Sequence, residues 1–167
     1  MDTLRLERVG FGHPDAMLMI AGVQAEYVAR YGGEDETPLD PVMFDPPRGS
    51  FFIAYAGDRP VAAGGWRRRD DVEALGSTHT AEIKRMYVVP DARGRGLARR
   101  VLAHLEATAR AAGAEVAILE TGTRQPEAMG LYASSGYLEV PKFGFYCHAP
   151  LSRCYGKRLD QPPPSRG

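Results

Sequence analysis

The stretch Arg93-Gly94-Arg95-Gly96-Leu97-Ala98 decides how this chain folds, because it joins two elements of different kinds. The apolar run before it, residues 86–89, is typical of a strand, and the alanine- and leucine-rich pattern after it predicts a helix over residues 95–112. The first N–H groups of a helix have no intrahelical partner, and the helix dipole places partial positive charge there. Glycines also let a backbone approach a ligand closely. The sequence therefore predicts a phosphate or pyrophosphate site at residues 93–98.

Two widespread phosphate-binding loops do not fit this stretch. A Walker A loop ends in Gly-Lys followed by Ser or Thr, which Leu97-Ala98-Arg99 lacks. The dinucleotide fingerprint needs a third glycine at the position that Arg99 occupies. A turn whose glycines serve geometry alone is the alternative, so the neighbouring sequence has to decide between the two.

The composition favours a single domain, which we expect to span residues 1–160, followed by a proline-rich, disordered tail at 161–167. The chain has 21 basic and 21 acidic residues, and this balance argues against binding to nucleic acid or to a membrane surface. The two cysteines and four histidines show no metal-ligand spacing, so we expect no metal. Because no signal stretch or membrane-length apolar run occurs, we expect a cytoplasmic protein.

The predicted elements follow the order β-α-loop-β-β-β-α-β-α-β-β. Helical patterns cover residues 14–31, 95–112 and 125–134, and apolar runs between them predict the strands. Hairpins combined with β-α-β units imply an α/β fold with one mixed antiparallel and parallel sheet of six to seven strands and helices on both faces. The acidic, proline-rich segment 33–49 is a loop long enough to contribute to binding.

Three motifs in order resemble those of the GNAT superfamily of acetyl-coenzyme A-dependent N-acetyltransferases. Arg93, Gly96 and Ala98 fit the family signature Gln/Arg-x-x-Gly-x-Gly/Ala. The preceding strand ends in Val88-Val89-Pro90, which matches the family's Val-x-Pro. Downstream, the segment 131–137 matches Leu-Tyr-x-x-x-Gly-Phe/Tyr. The resemblance implies a GNAT fold and acetyl-coenzyme A as the cosubstrate.

The resemblance also implies where the cosubstrate binds. Residues 93–98 would hold its pyrophosphate, with Arg93 or Arg95 adding charge-assisted hydrogen bonds. The backbone of Met86 and Val88 would pair with the pantetheine amides, as a peptide pairs with a sheet edge. Many family members contact the cosubstrate through an asparagine after the fifth strand. This chain has none there, and Thr123 or Gln125 are the candidate substitutes.

Two catalytic candidates follow from the same resemblance. Tyr132 stands where the family places the tyrosine that protonates the departing thiolate, and a phenol with a pKa near ~10 is protonated at neutral pH. Its alternative is a tyrosine that packs in the core. Glu82 stands where some members carry the catalytic base. The alternative role is a structural one, in a salt bridge with Lys84 or Arg85. Proton relay through water, without a base of this kind, is also open.

A regular strand would place Glu82, Lys84, Met86 and Val88 on one face of the sheet.

The acceptor site is expected between the first helix, the loop after it and the loop between the last two strands. The candidate aromatic contacts are Tyr27, Tyr31, Phe44, Phe143 and Tyr146. Acidic residues beside them, such as Glu34 and Asp35, would suit a cationic amine. The alternative is an acidic loop that only faces solvent.

Together these inferences predict an enzyme that transfers the acetyl group of acetyl-coenzyme A directly to a primary amine of a small molecule. No nucleic acid or membrane partner is expected, and formation of a homodimer is left open. Two alternatives stay open as well: a protein or peptide N-acetyltransferase, and a non-catalytic acyl-coenzyme A sensor or partner protein.

Overall fold

In the computed structural model of the chain, residues 3–160 are described, and they form one seven-stranded sheet with helices on both faces. The strands are β1 (Leu4–Val9), β2 (Gly49–Ala56), β3 (Arg59–Arg68), β4 (Thr80–Val88), β5 (Val116–Gly122), β6 (Leu138–Val140) and β7 (Ser152–Arg158). The α-helices are α1 (Pro14–Tyr31), α2 (Leu97–Ala111) and α3 (Pro126–Ser134), and two short 3-10 helices span Pro41–Phe44 and Pro90–Ala92. The order of elements is the predicted one. The predicted tail at 161–167 lies outside the described residues.

The sheet has the strand order β1-β2-β3-β4-β5-β7-β6 and is antiparallel except where β4 meets β5. This arrangement confirms the predicted mixed sheet. The parallel pairing of β4 with β5 extends only over Thr80–Glu82 against Val116–Ile118. Beyond it, β4 continues on β3 as far as Val88, and β5 continues on β7 as far as Gly122. The two central strands therefore diverge and open a cleft toward their carboxyl ends.

Helices α1 and α2 cover opposite faces of the sheet because each has an apolar stripe. The stripe of α2 includes Val101 and Leu105, which pack in a core with Trp66. On the other face, Ala16 and Met19 of α1 pack in a second core with aromatic and aliphatic side chains of β2. The β4-α2-β5 connection brings the glycine-rich turn to the open end of the cleft.

A bulge interrupts β4 and corrects the prediction that its residues alternate regularly. Arg85 has a φ of +56°, and the register against β3 shifts between Gly65, opposite Lys84, and Ala63, opposite Tyr87. The extra residue reverses the alternation beyond it. Lys84 and Tyr87 therefore face α1, whereas Met86 turns toward α2. Glu82 and Met86 do not share a face.

Candidate active site

Two cavities of similar size lie along the cleft between β4 and β5. The first, of about 370 Å³, lies beside the glycine-rich turn and is called the loop cavity. Its walls come from Glu26, Arg30, Met86, Tyr87, Val88, Arg93, Gly94, Gly96, Leu97, Ala98, Arg99, Gln125, Glu127, Ala128, Leu131 and Tyr132. The second, of about 380 Å³, is called the tyrosine cavity. Its walls come from Tyr27, Tyr31, Gly33, Glu34, Asp35, Glu36, Lys84, Glu120, Thr121, Gly122, Gln125, Tyr146, Ala149, Pro150, Leu151 and Ser152.

The start of α2 has the geometry of an anion site. Its N-cap Gly96 has a φ of +76° and no side chain caps it, and Gly94 has a φ of +79°. Both conformations favour glycine, and a Cβ added at either position would meet no atom within 4 Å. The first hydrogen bond of the helix runs from Arg100 N to Gly96 O, so the preceding N–H groups have no intrahelical partner. This turn can accept a phosphate through its backbone.

Three arginines near the turn differ in whether their side chains line the loop cavity. Arg93 lines the loop cavity, donates from Nε to the Val88 carbonyl at 3.0 Å, and pairs with the carboxylate of Glu26. Arg99 also lines the cavity, whereas Arg95 is exposed and does not. The Arg93 side chain therefore already occupies the carbonyl oxygen of Val88 that was predicted to pair with the pantetheine.

Tyr132 lies on α3 at the wall of the loop cavity. Its side chain is buried, its ring meets Tyr137 edge to face at 5.7 Å, and its hydroxyl lies 4.0 Å from Met86 Sδ. Burial raises the pKa of Tyr132 to about 12, so the hydroxyl keeps its proton at neutral pH. Both the packing role and the donor role fit this position, and the donor role stays a prediction.

The two predicted substitutes for the family's asparagine lie in different places. Thr123 lines neither cavity, and its N–H donates to the Leu151 carbonyl at 2.8 Å. Gln125 lines both cavities, at the N-terminus of α3. Gln125 is thus the residue through which the two cavities meet.

Glu82 lies at the closed end of the cleft and in neither cavity. Its side chain is only 4% exposed, and Oε1 accepts hydrogen bonds from Arg67 Nε at 3.1 Å and from Arg69 Nη1 at 2.7 Å. Lys84 Nζ lies 3.8 Å from Oε2. The geometry is that of the salt-bridge alternative, although Arg67 and Arg69 supply most of it. Of the two partners predicted from the sequence, Lys84 takes part, whereas Arg85 pairs with Asp35.

Glu120 was not singled out from the sequence, yet it lines the tyrosine cavity near the end of β5. Burial raises the pKa of its carboxyl group, and the nearby Lys84 ammonium partly opposes this effect. A carboxyl group with a raised pKa that lines a cavity is a candidate proton acceptor. The available signal was a glutamate directly after four buried apolar residues, at the carboxyl end of a parallel strand.

Three of the five predicted aromatic contacts meet in the tyrosine cavity. Tyr27 and Tyr31 lie one turn apart on α1, with ring centroids 4.7 Å apart. The Tyr31 hydroxyl sits so close to Gly122 that a Cβ added to this glycine would overlap it. Tyr146, from the loop before β7, accepts a hydrogen bond from Glu36 N at 2.8 Å. These contacts close the cavity on the side of α1.

Phe44 and Phe143 lie elsewhere, which corrects the prediction for both. Phe44 is fully buried and stacks on Phe11 with centroids 4.6 Å apart, because the 3-10 helix Pro41–Phe44 turns the long loop back onto the core. Phe143 packs on the core beneath β5, with the Arg69 guanidinium 5.8 Å from its ring centroid. Neither ring lines the two cavities.

The start of the long loop is fixed rather than freely solvated. Asp35 accepts hydrogen bonds from Arg85 Nη1 at 3.0 Å and from Thr37, and its backbone exchanges two hydrogen bonds with the Gln24 side chain. Burial alone would raise the pKa of Asp35, but Lys84, the Thr37 hydrogen bonds and Arg85 outweigh it and lower that pKa. Asp35 is therefore a charged anchor that holds the loop over the tyrosine cavity.

Within residues 3–160, no cluster of three or more His, Cys, Asp or Glu side chains could hold a metal ion. No helix in the same part of the chain is both long and apolar enough to cross a membrane.

Diverging parallel strands and an uncapped helix at the open end of the cleft form a site that can hold an anionic cosubstrate. The family model described as "Acetyltransferase (GNAT) family" matches residues 20–137, and the chain belongs to this family. Its members use acetyl-coenzyme A as the cosubstrate.

Individual relatives agree with this assignment. The chain is 45% identical over 78 residues to the IAA acetyltransferase of Azospirillum brasilense, and the match covers 47% of this chain and 51% of that protein. The chain thus spans about half the length of this curated relative. A Klebsiella pneumoniae structure assigned as an acyl-CoA N-acyltransferase is 25% identical, with a TM-score of 0.74 over 94% of this chain and 98% of that one. The IAA acetyltransferase of Bacillus cereus shares the fold at 16% identity, with a TM-score of 0.61 over 93% and 99% of the two chains.

Proposed function

We propose that this protein transfers the acetyl group of acetyl-coenzyme A to a primary amine of a small molecule. The observation that carries the proposal is that two cavities of opposite character share one cleft and meet at Gln125. One has the backbone geometry for a phosphate, and the other is lined by tyrosines and carboxylates. A reaction between an anionic cosubstrate and a cationic acceptor needs one cavity of each kind.

The residues of the loop cavity fit the cosubstrate. The free N–H groups at the start of α2 would hold the pyrophosphate, and Arg93 and Arg99 would add charge to its oxygens. Arg93 would then exchange its pairing with Glu26 for the phosphate. The thioester would lie farther along the cleft, near Tyr132.

The proposed transfer needs two proton movements. The acceptor enters as an ammonium ion and gives one proton to Glu120, and the neutral nitrogen attacks the thioester carbonyl carbon. A carbon–nitrogen bond forms and the carbon–sulfur bond breaks, and Tyr132 donates its proton to the leaving thiolate. The second nitrogen proton restores the Tyr132 hydroxyl, and Glu120 releases its proton to solvent, so atoms and charge balance. The products are an N-acetylated amine and coenzyme A.

Glu120 is the base that we favour over Glu82. Glu120 lines a cavity, and partial burial raises the pKa of its carboxyl group, so this carboxylate is a stronger base than an exposed glutamate. Glu82 already accepts hydrogen bonds from Arg67 and Arg69 and lines neither cavity. In this proposal Glu82 is a structural carboxylate.

The loops at the tyrosine cavity support a small acceptor over a protein or peptide. The Asp35–Arg85 ion pair and the hydrogen bond between Glu36 and Tyr146 fix two loops at the wall of this cavity, where a polypeptide would need an open groove.

Release of coenzyme A thiol from acetyl-coenzyme A, measured with a panel of small amines and lysine peptides, tests the function. We expect release with at least one small amine and loss of it in Tyr132→Phe. Cosubstrate binding without release in the presence of any amine would contradict transfer and favour an acyl-coenzyme A sensor. Release with lysine peptides alone would favour a peptide substrate.

A further inference from the structure

The charges around the tyrosine cavity are unbalanced. Four carboxylates line it, from Glu34, Asp35, Glu36 and Glu120, against one ammonium group, from Lys84. Asp35 is compensated by Arg85 at 3.0 Å. Glu34 and Glu36 are exposed at the mouth, and neither forms a salt bridge within residues 3–160. Negative charge that nothing in the described chain compensates is therefore concentrated at the mouth.

A second observation points to a ligand inside the same cavity. Ser152 lines the wall beside Glu120 and is only 6% exposed. Its hydroxyl lies near enough to Glu120 to favour the ionised carboxylate, yet within the described chain it makes no hydrogen bond of acceptable geometry. A buried hydroxyl without a partner costs free energy, so it calls for a partner that the described chain does not supply. An N–H group of a bound amine would satisfy the Ser152 oxygen.

The tyrosine rings supply the third element. Tyr27, Tyr31 and Tyr146 line the space between the inner wall and the mouth. Aromatic faces attract ammonium groups and also pack against methylene chains. The cavity thus offers polar groups at both ends and an aromatic middle.

We infer that the acceptor is a small diamine whose reacting nitrogen lies between Glu120 and Ser152 and whose second ammonium group lies at Glu34 and Glu36. This inference rests on the proposed acetyl transfer. The reacting nitrogen gives a proton to Glu120 before it attacks, so it lies at the inner wall, and the carboxylates at the mouth are left to a second group. A second ammonium group stays charged throughout, and its attraction to the mouth is kept until the product leaves.

The test compares acceptors that differ only in their distal group: 1,4-diaminobutane, n-butylamine and 4-aminobutanoate. Binding to the protein is measured by calorimetry, and kcat/KM is measured by release of coenzyme A thiol. We expect 1,4-diaminobutane to exceed n-butylamine about tenfold in both quantities and 4-aminobutanoate to be the weakest. Because the mouth is exposed, the preference should shrink as the salt concentration rises.

Two variants separate the ends of the cavity. Glu34→Gln combined with Glu36→Gln should remove the preference of the protein for 1,4-diaminobutane over n-butylamine. Ser152→Ala should weaken the binding of both amines by a similar factor. Glu139→Gln is the control, because it removes an exposed carboxylate from β6 outside both cavities. This variant should change neither the binding of the two amines nor their kcat/KM.

The outcomes distinguish this inference from the proposed function. One outcome is that 1,4-diaminobutane and n-butylamine bind and react equally well, and that the double variant affects neither amine. This result would overturn the inference of a diamine acceptor and leave the proposed acetyl transfer unchanged. Preferential binding of 1,4-diaminobutane without any turnover would support the diamine site and overturn the proposed function.

Discussion

The loop cavity and the tyrosine cavity differ in how the chain builds them. Most of the loop cavity comes from two short segments, 86–99 and 125–132. The tyrosine cavity combines four separate parts of the chain: 27–36, Lys84, 120–125 and 146–152. A phosphate can be bound by backbone groups at one helix start, which is a local feature. An acceptor is selected by side chains that only the complete fold brings together.

The two cavities also differ in their titratable side chains. Arg30, Arg93 and Arg99 line the loop cavity, with Glu26 and Glu127 beside them. The tyrosine cavity has the reverse balance, with one lysine against its carboxylates. The comparison predicts that substitutions at one end will change the binding of one substrate and leave the other unchanged.

The largest effect is expected from Gly96→Glu at the loop cavity. The carboxylate would enter the anion site and repel the pyrophosphate, so binding of acetyl-coenzyme A should be lost in calorimetry. Gly96→Ala is the matched control, since it shares the strain of a φ of +76° without the charge. Unchanged affinity in Gly96→Glu would place the pyrophosphate elsewhere.

Tyr132→Phe should give the next largest effect. The change keeps the ring against Tyr137 and removes only the hydroxyl, so kcat should fall by about 10²-fold or more if this hydroxyl is the acid. The affinity for acetyl-coenzyme A should stay within about twofold. Equal turnover in the variant would leave Tyr132 with a packing role alone.

Glu120→Gln should mainly lower activity, whereas Glu82→Gln should mainly lower stability. Loss of the base should lower kcat/KM about tenfold in Glu120→Gln, because bulk solvent can still accept the amine proton. Glu82→Gln weakens a buried ion-pair network with Arg67 and Arg69 and should cost about 3 kcal/mol of unfolding free energy.

Thermal unfolding and kinetics of the two variants decide between the two glutamates. A tenfold loss of kcat/KM in a Glu82→Gln protein of unchanged melting temperature would reverse the assignment.

The smallest effect is a dependence of stability on pH. The folded-state pKa of Glu120 is raised above its ordinary value of 4.5, so the folded protein holds this proton more tightly than the unfolded chain. Its contribution to stability is therefore present at low pH and is lost as the pH rises through the folded pKa. As the pH rises above 4.5, the melting temperature of the wild type should fall relative to that of the Glu120→Gln variant. A difference between the two that is constant with pH would contradict the raised pKa.

Local sequence signals predicted most of the fold. Pro14 and Gly32 mark the two ends of α1, and the helix found is Pro14–Tyr31, as the pattern indicated. The bulge at Arg85 was not predictable, because a non-glycine residue at positive φ leaves no local signature.

The sequence was less informative about the acceptor end. Burial in the complete fold raises the pKa of Glu120, and Lys84, which lies on another strand, partly opposes this rise, so spacing along the chain could not reveal it. Phe44 looked like a binding residue because it stands in a long acidic loop, but tertiary packing draws it into the core. Cytoplasmic location and a homodimer stay predictions.

The most direct test of the whole account is a crystal structure of the protein with coenzyme A. We expect the pyrophosphate on the backbone N–H groups of residues 94–98, and the thiol near the Tyr132 hydroxyl with the tyrosine cavity still free. A pyrophosphate outside the loop cavity, or a pantetheine arm that fills the tyrosine cavity, would contradict it.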